Sequence, residues 1–154
     1  MTPVDHVQVQ ETDFSVAAEY ERLTAANTED GAVVTFVGRM RDYNQGDRVQ
    51  SLFLEHYPGM TERALQALVT EARARWRLGR VAIIHRVGRL VPADQIVWVG
   101  VTSPHRGEAF AAAEYLMDAL KTRAPFWKKE QTEQAERWVE ARETDEQRAR
   151  RWEP

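Results

Sequence analysis

A mixed α+β domain is the fold class this sequence predicts, and three observations predict it. Apolar residues recur at helical spacing in three segments, and β-branched and aromatic runs lie between them. The resulting order is helix, two strands, helix, two strands, helix and then short strands, without the regular alternation of a doubly wound sheet. No internal repeat, low-complexity tract or linker divides the chain, so residues 1–154 read as one domain. With 154 residues, 43% of them hydrophobic and 29% charged, the chain can bury a sizeable core unaided.

The elements follow in order. Phe14, Ala17, Ala18 and Leu23 mark a short helix over 14–26, with Asp13 as its candidate cap. Residues 27–31 form a turn, and the β-branched, aromatic run AVVTFV at 32–37 is a buried strand. The polar stretch GRMRDYNQGD at 38–47 is a loop, after which 49–57 resumes as a strand. Pro58 and Gly59 break that strand, and Thr61 is the candidate cap of a helix reaching Trp76. Met60, Ala64, Leu65, Leu68, Val69, Ala72 and Trp76 share one face of it, and Gly79 closes it. Residues 81–87 and 95–102 are strands joined by a turn at 90–94. The next helix covers 107–122, with Phe110, Ala113, Leu116, Met117 and Leu120 inward, and Pro125 ends it. Short strands are expected at 126–131 and 138–141, and the charged tail 144–154 is expected to fray and be partly flexible.

Composition excludes several kinds of function. No apolar run approaches the roughly 20 residues that cross a bilayer. The N-terminal MTPVDHVQVQETD lacks the basic and apolar regions of a signal peptide, so a cytoplasmic protein is expected. The absence of cysteine removes disulfides, thiolate zinc sites, cysteine nucleophiles and persulfides carried on the chain. Any sulfur chemistry must therefore be supplied by a substrate or partner. The net charge of −3 argues against nucleic acid, yet bases recur from Arg39 to Lys129. Local basic clusters on a near-neutral chain suit a small anionic ligand.

Three such clusters lie where elements end. Arg39 and Arg41 follow the first strand, and His105 and Arg106 stand between a strand and a helix start, where free N–H groups favour phosphate. Lys121 and Arg123 close that helix, with Lys128 and Lys129 just beyond. Each cluster also has a structural reading. The arginines suit a solvated loop, the helix-end bases answer the helix dipole, and lysines discourage pairing at a strand edge.

The remaining candidates are weaker. His56 and His85 lie in strand-like segments and read as structural histidines. No HxH or HExxH spacing exists, so neither a metal site nor a cofactor is expected. Ser103 has no GxSxG context, and Gly38 and Gly46 form no phosphate-cradling motif. The tryptophans read as core or interface residues, except Trp152, and the tail RARRW reads as a solvated helical end.

Taken together, GAVVTFVGRMRDYNQGD, LEHYPGMTE, LGRVAIIHRVG, VGVTSPHR, MDALKTRAPFWKKE and RWVEARE resemble the large, catalytic subunit family of molybdopterin synthase. The resemblance runs from Gly31 to Trp152, and residues 1–30 carry little of it. It implies an α/β hammerhead fold with an added antiparallel β-subdomain. It implies a sulfurtransferase that converts cyclic pyranopterin monophosphate into molybdopterin by installing two dithiolene sulfurs. The implied sulfur source is the thiocarboxylated Gly-Gly terminus of a small ubiquitin-like subunit, and the implied assembly is a homodimer within a heterotetramer.

Matched position by position, the resemblance makes Lys121 and Lys128 the catalytic lysines. It makes Arg39, Met40, Arg41, His105, Arg106, Lys129 and Glu130 substrate-binding or pocket-side residues. It also places the pocket near a dimer interface, so that Arg41 and His105–Arg106 serve from different chains. Asp42 and Tyr43 stand where Asn and His are common, and Pro104 where Ala is common; these flank the basic residues and alter loop detail. The chemistry suits these residue types, because arginine forks hold a terminal phosphate and an enclosed lysine can move protons near neutrality. That proton-transfer role is expected of Lys121, with Lys128 orienting substrate oxygens. Two other readings use the same bases: a non-catalytic dimer binding a phosphorylated metabolite, and an RNA-binding module, against which the net charge and the lack of an RNA-binding motif count.

Overall fold

The computed structural model describes residues 5–133, 135–139 and 142–153. Its elements are β1 (Asp5–Gln10), α1 (Val16–Thr24), β2 (Ala32–Arg39), β3 (Tyr43–Asn44), β4 (Asp47–His56), α2 (Met60–Arg75), β5 (Val81–Arg86), β6 (Gly88–Leu90), β7 (Gln95–Ser103), α3 (Arg106–Arg123), β8 (Phe126–Thr132), β9 (Glu136–Val139) and α4 (Glu143–Arg150). They build two sheets, as the mixed α+β class requires. The first has the order β1-β5-β7-β2, with β1 parallel to β5 and the other pairs antiparallel. The second is antiparallel, with the order β3-β4-β8-β9 and β6 added alongside β4.

Three apolar clusters hold these layers. Leu65, Leu68, Val69 and Ala72 of α2 and Leu116, Ala119 and Leu120 of α3 pack on Ile83, Val99 and Val101 of the first sheet. Phe14 and Leu23 cover Ala82, Ile84 and Trp98. Here α1 approaches the sheet so closely that a Cβ on Gly100 would stand 2.4 Å from Leu23 Cδ1. Met40, Val49, Leu52, Leu54, Val87 and Leu90 form a separate core between the sheets' ends. No helix among the described residues is long and apolar enough to cross a membrane.

Local chemistry shifts several expected boundaries. Ser15, not Asp13, caps α1, its Oγ accepting from the Ala18 N–H at 3.2 Å. Asp13 instead accepts from the Phe14 N–H and the Gln95 amide. The cap of α2 is Gly59, at φ 85°, whose N–H donates to the Glu62 carboxylate. Thr61 is buried and joins distant segments: its hydroxyl accepts from the Tyr57 N–H and donates to the Pro125 carbonyl at 3.0 Å. Trp76 ends α2, while Gly79 lies beyond it with its N–H on the Thr102 carbonyl.

Phe110, expected inward, is 61% exposed. The structure adds β1 and β6, and the loop at 38–47 contains β3 and a tight turn. The last expected strand begins earlier, at Glu136, and its residues 140 and 141 lie outside the described residues. The charged tail forms α4, and Trp152, set apart from the core tryptophans by sequence, packs edge-on against Trp76 and Tyr115.

Candidate active site

The ends of β2, α3 and β8 converge on one cavity of about 240 Å³, walled by Arg39, Met40, Arg41, Lys121, Lys128, Glu130 and Arg142 among others. Arg39 is the last residue of β2, where a register shift follows Gly38. The backbone of Met40 is then pinned on both sides: its N–H donates to Asp94 O at 2.8 Å and its carbonyl accepts from Ala93 at 2.9 Å. With its side chain buried in the core between the sheets, Met40 anchors the two flanking arginines. Lys121 comes from the last turn of α3. Pro125 ends that helix, and β8 brings Lys128 opposite Leu54 of β4 and Val139 of β9.

The electrostatics of this cluster single out one lysine. Burial, then the charge and hydrogen bond of Lys121, lower the Lys128 pKa from 10.5 to about 8, with Asp145 opposing and Arg142 reinforcing. Neutral Lys128 is therefore far more populated near neutral pH than the neutral form of an ordinary lysine. The sequence reading gave proton transfer to Lys121; the structure destabilises the ammonium of Lys128 and makes Lys121 one cause of it.

Beneath the cluster, His85 stacks on Phe126 with ring centroids 3.8 Å apart. Its Nδ1 lies 2.8 Å from Arg86 O, which fixes Nδ1 as the protonated nitrogen. Burial first, and then the charges of Lys128, Lys121 and His56, push its pKa down to about 3. A neutral ring thus supports the cationic floor without adding to its charge.

Glu130 is 5% exposed and fully engaged. One oxygen accepts from Asn44 Nδ2 at 2.5 Å and the other from Arg137 Nε at 3.0 Å. Of the residues singled out by sequence, Arg39, Met40, Arg41, Lys121, Lys128 and Glu130 meet at this cavity. Three do not. Lys129 faces away from it, paired with Glu136 at 3.0 Å and lying over Trp138. His105 is the N-cap of α3 and Arg106 its first residue. At about 1.5 Å of rise per residue, Arg106 stands about 22 Å along the helix from Lys121. Sequence reasoning missed Asn44, Arg142 and Asp145, whose roles depend on contacts across the fold.

An apolar groove of about 440 Å³, lined by Phe36, Phe110 and Met117 among others, adjoins the cavity at Lys121 and Asp145.

The sequence profile of the family described as MoaE protein matches residues 9–123. The chain belongs to the MoaE family. Its relatives in that family include the molybdopterin synthase catalytic subunit of Salmonella typhimurium, 63% identical over 139 residues, 90% of this chain and 92% of the relative. That of Vibrio cholerae is 59% identical over 151 residues, 97% of this chain and 100% of the relative. Among solved MoaE structures, the MoaE protein from Burkholderia ambifaria superposes with a TM-score of 0.83 at 51% identity, covering 97% of this chain and 98% of that one. Molybdopterin synthase from Staphylococcus aureus superposes with a TM-score of 0.79 at 32% identity, covering 85% of this chain and 94% of that one. A complex of subunits 1 and 2 of molybdopterin-converting factor from Helicobacter pylori shares the MoaE fold, with a TM-score of 0.70 at 17% identity over 90% of this chain and 91% of that one.

Proposed function

We propose that this chain is the catalytic subunit of a molybdopterin synthase, transferring sulfur from a small carrier's C-terminal thiocarboxylate to cyclic pyranopterin monophosphate. The observation that carries the reading is the pairing of Lys121 with a charge-destabilised Lys128 inside a cavity bordered by Arg39, Arg41 and Arg142. The arginines suit the substrate's phosphate, and guanidinium forks hold such a group better than point charges. A chain without cysteine cannot hold the sulfur itself, so a carrier must bring it.

The residues divide the work by protonation state. A thiocarboxylate sulfur that displaces an oxygen substituent from a substrate carbon forms a C–S bond and leaves an S-acyl link to the carrier. Water then cleaves that link, releasing the carrier as a carboxylate and leaving the sulfur on the substrate as a thiolate. Neutral Lys128 accepts the proton of the attacking water. The ammonium of Lys121 faces the oxyanion that forms on the acyl carbon, where fixed positive charge is worth most. The groove beside Lys121, which adjoins the cavity, gives an extended Gly-Gly terminus an approach. His105 and Arg106 would join the site from a second copy, since their own α3 holds them far from Lys121.

The test is reconstituted turnover with a thiocarboxylated carrier and the cyclic precursor, reading dithiolene product. Wild type forms product, and Lys121→Ala and Lys128→Ala each lose about 10²–10⁴-fold. A folded wild type that binds the precursor but forms no product would replace this reading with that of a metabolite-binding protein.

A further inference from the structure

We infer that Asn44 is a positioning residue of the cavity, its side-chain amide acting as an oriented relay that fixes the guanidinium of Arg142 in the wall. The inference rests on the proposed anionic substrate for that cavity and adds a residue of its wall whose side chain acts through another.

The polarity of the relay is forced by its two neighbours. Glu130 presents a carboxylate that accepts, and Arg142 presents a guanidinium that only donates. The amide must therefore turn its NH2 towards Glu130 and its oxygen towards Arg142. The structure has this arrangement: Asn44 Nδ2 donates to Glu130 Oε1 at 2.5 Å, and Arg142 donates to Asn44 Oδ1. Neither contact works with the amide flipped.

The relay is braced from behind. Arg137 donates from Nε to Glu130 at 3.0 Å, from one terminal nitrogen to Asp47 at 2.7 Å, and from the other to the Asn44 carbonyl at 3.1 Å. One guanidinium thus grips the strut, the backbone of the relay residue and the far side of its turn. That turn is the two-residue link Gln45-Gly46, with φ of 52° and 85°, between β3 and β4. Such left-handed pairs close tight hairpins, which keeps Asn44 from drifting off β8.

Charge explains why an amide suits this place. An aspartate at 44 would neutralise Arg142 in an ion pair and would stand against the Glu130 carboxylate. An amide oxygen orients the arginine and leaves its full positive charge to a ligand. Arg142 stands at the N-terminal boundary of α4 on a long, mobile side chain, which without a partner must lose its rotamer freedom when an anion binds. Fixing it beforehand removes that cost from binding.

A double-mutant cycle decides it, read as the dissociation constant of the cyclic precursor by calorimetry and as the KM and kcat of turnover. Asn44→Ala is expected to weaken precursor binding about tenfold, a change of about 1.4 kcal/mol, with kcat within threefold of wild type. Arg142→Ala should lose at least as much, and the double variant no more than Arg142→Ala alone. Asn44→Asp, nearly the same shape, should weaken binding as Asn44→Ala does, which guards against a simple packing effect. Losses that add in the double variant, or a fall in kcat at unchanged affinity, would overturn the relay. Because the cycle is read first in binding, a wild type that binds precursor without forming product sinks the proposed reaction and leaves the relay to be decided by its own numbers.

Discussion

Burying an ammonium beside another ammonium destabilises its charged form, and both causes act on Lys128. The neutral amine is the form that accepts a proton, so the rate should follow its population. Deprotonation proceeds upward through a pKa of about 8, so single-turnover rates should rise across pH 7–8.5 and level above it. Two neighbours test the cause by moving the limb in opposite directions. Asp145 favours the charged form, so Asp145→Asn should shift the limb to lower pH. Lys121 disfavours it, so the residual activity of Lys121→Met should show a limb at higher pH. A flat profile from pH 6.5 to 9, or both variants shifting the same way, would remove Lys128 as the titrating base.

Element by element, the attachment of α4 completes the site, bringing Arg142 and Asp145 to the cavity. Asp118, 6% exposed on α3, accepts from Arg148 Nε at 3.1 Å, a terminal nitrogen of Arg151 at 2.9 Å and Trp152 Nε1 at 2.8 Å. Asp118→Ala leaves the Trp152 indole N–H without its acceptor and Arg148 and Arg151 with Glu114 alone, and should cost about 1–3 kcal/mol. The loss should be local: limited proteolysis should cut at Arg148 and Arg150 well before the core opens, and precursor binding should weaken because Arg142 and Asp145 move with α4. Cleavage at the wild-type rate would show that apolar packing of Trp152 suffices. This attachment also marks where the sequence ceases to be legible. β2, β7 and α3 could be located because β-branched, aromatic runs and helical spacing are local signals, although β2, expected buried, is a partly exposed edge strand with Phe36 42% exposed. The VQV pattern of β1 is short, and its partner β5 lies far along the chain. The bonds from Glu130 to Asn44 and from Arg142 to Asn44 join positions that no local period connects. Lys121 and Lys128 were marked by the resemblance; spacing alone left each of them a structural reading.

For the whole molecule, the length of α3 poses the decisive question. One chain gathers Arg39, Arg41, Lys121, Lys128 and Arg142 at a single cavity, while Arg106 sits about 22 Å away at the other end of the helix. No side-chain rotation spans that gap, so if Arg106 serves the reaction it serves a neighbouring copy. Closed two-fold pairing makes this testable, since each copy then gives its partner what it receives. Mixing Arg106→Ala with Lys121→Ala chains under exchange makes half of the dimers hybrid. In a hybrid, one site keeps an intact Lys121 facing an intact Arg106, and the other has lost both. Turnover should recover to about a quarter of wild type although each variant alone is nearly inactive. If each site instead drew both residues from its own chain, no hybrid would hold an intact site and mixing would restore nothing. Recovery near a quarter would therefore establish both the dimer and the crossing of its sites, whereas Arg106→Ala chains that alone turn over at the wild-type rate would confine catalysis to the residues that one chain brings together.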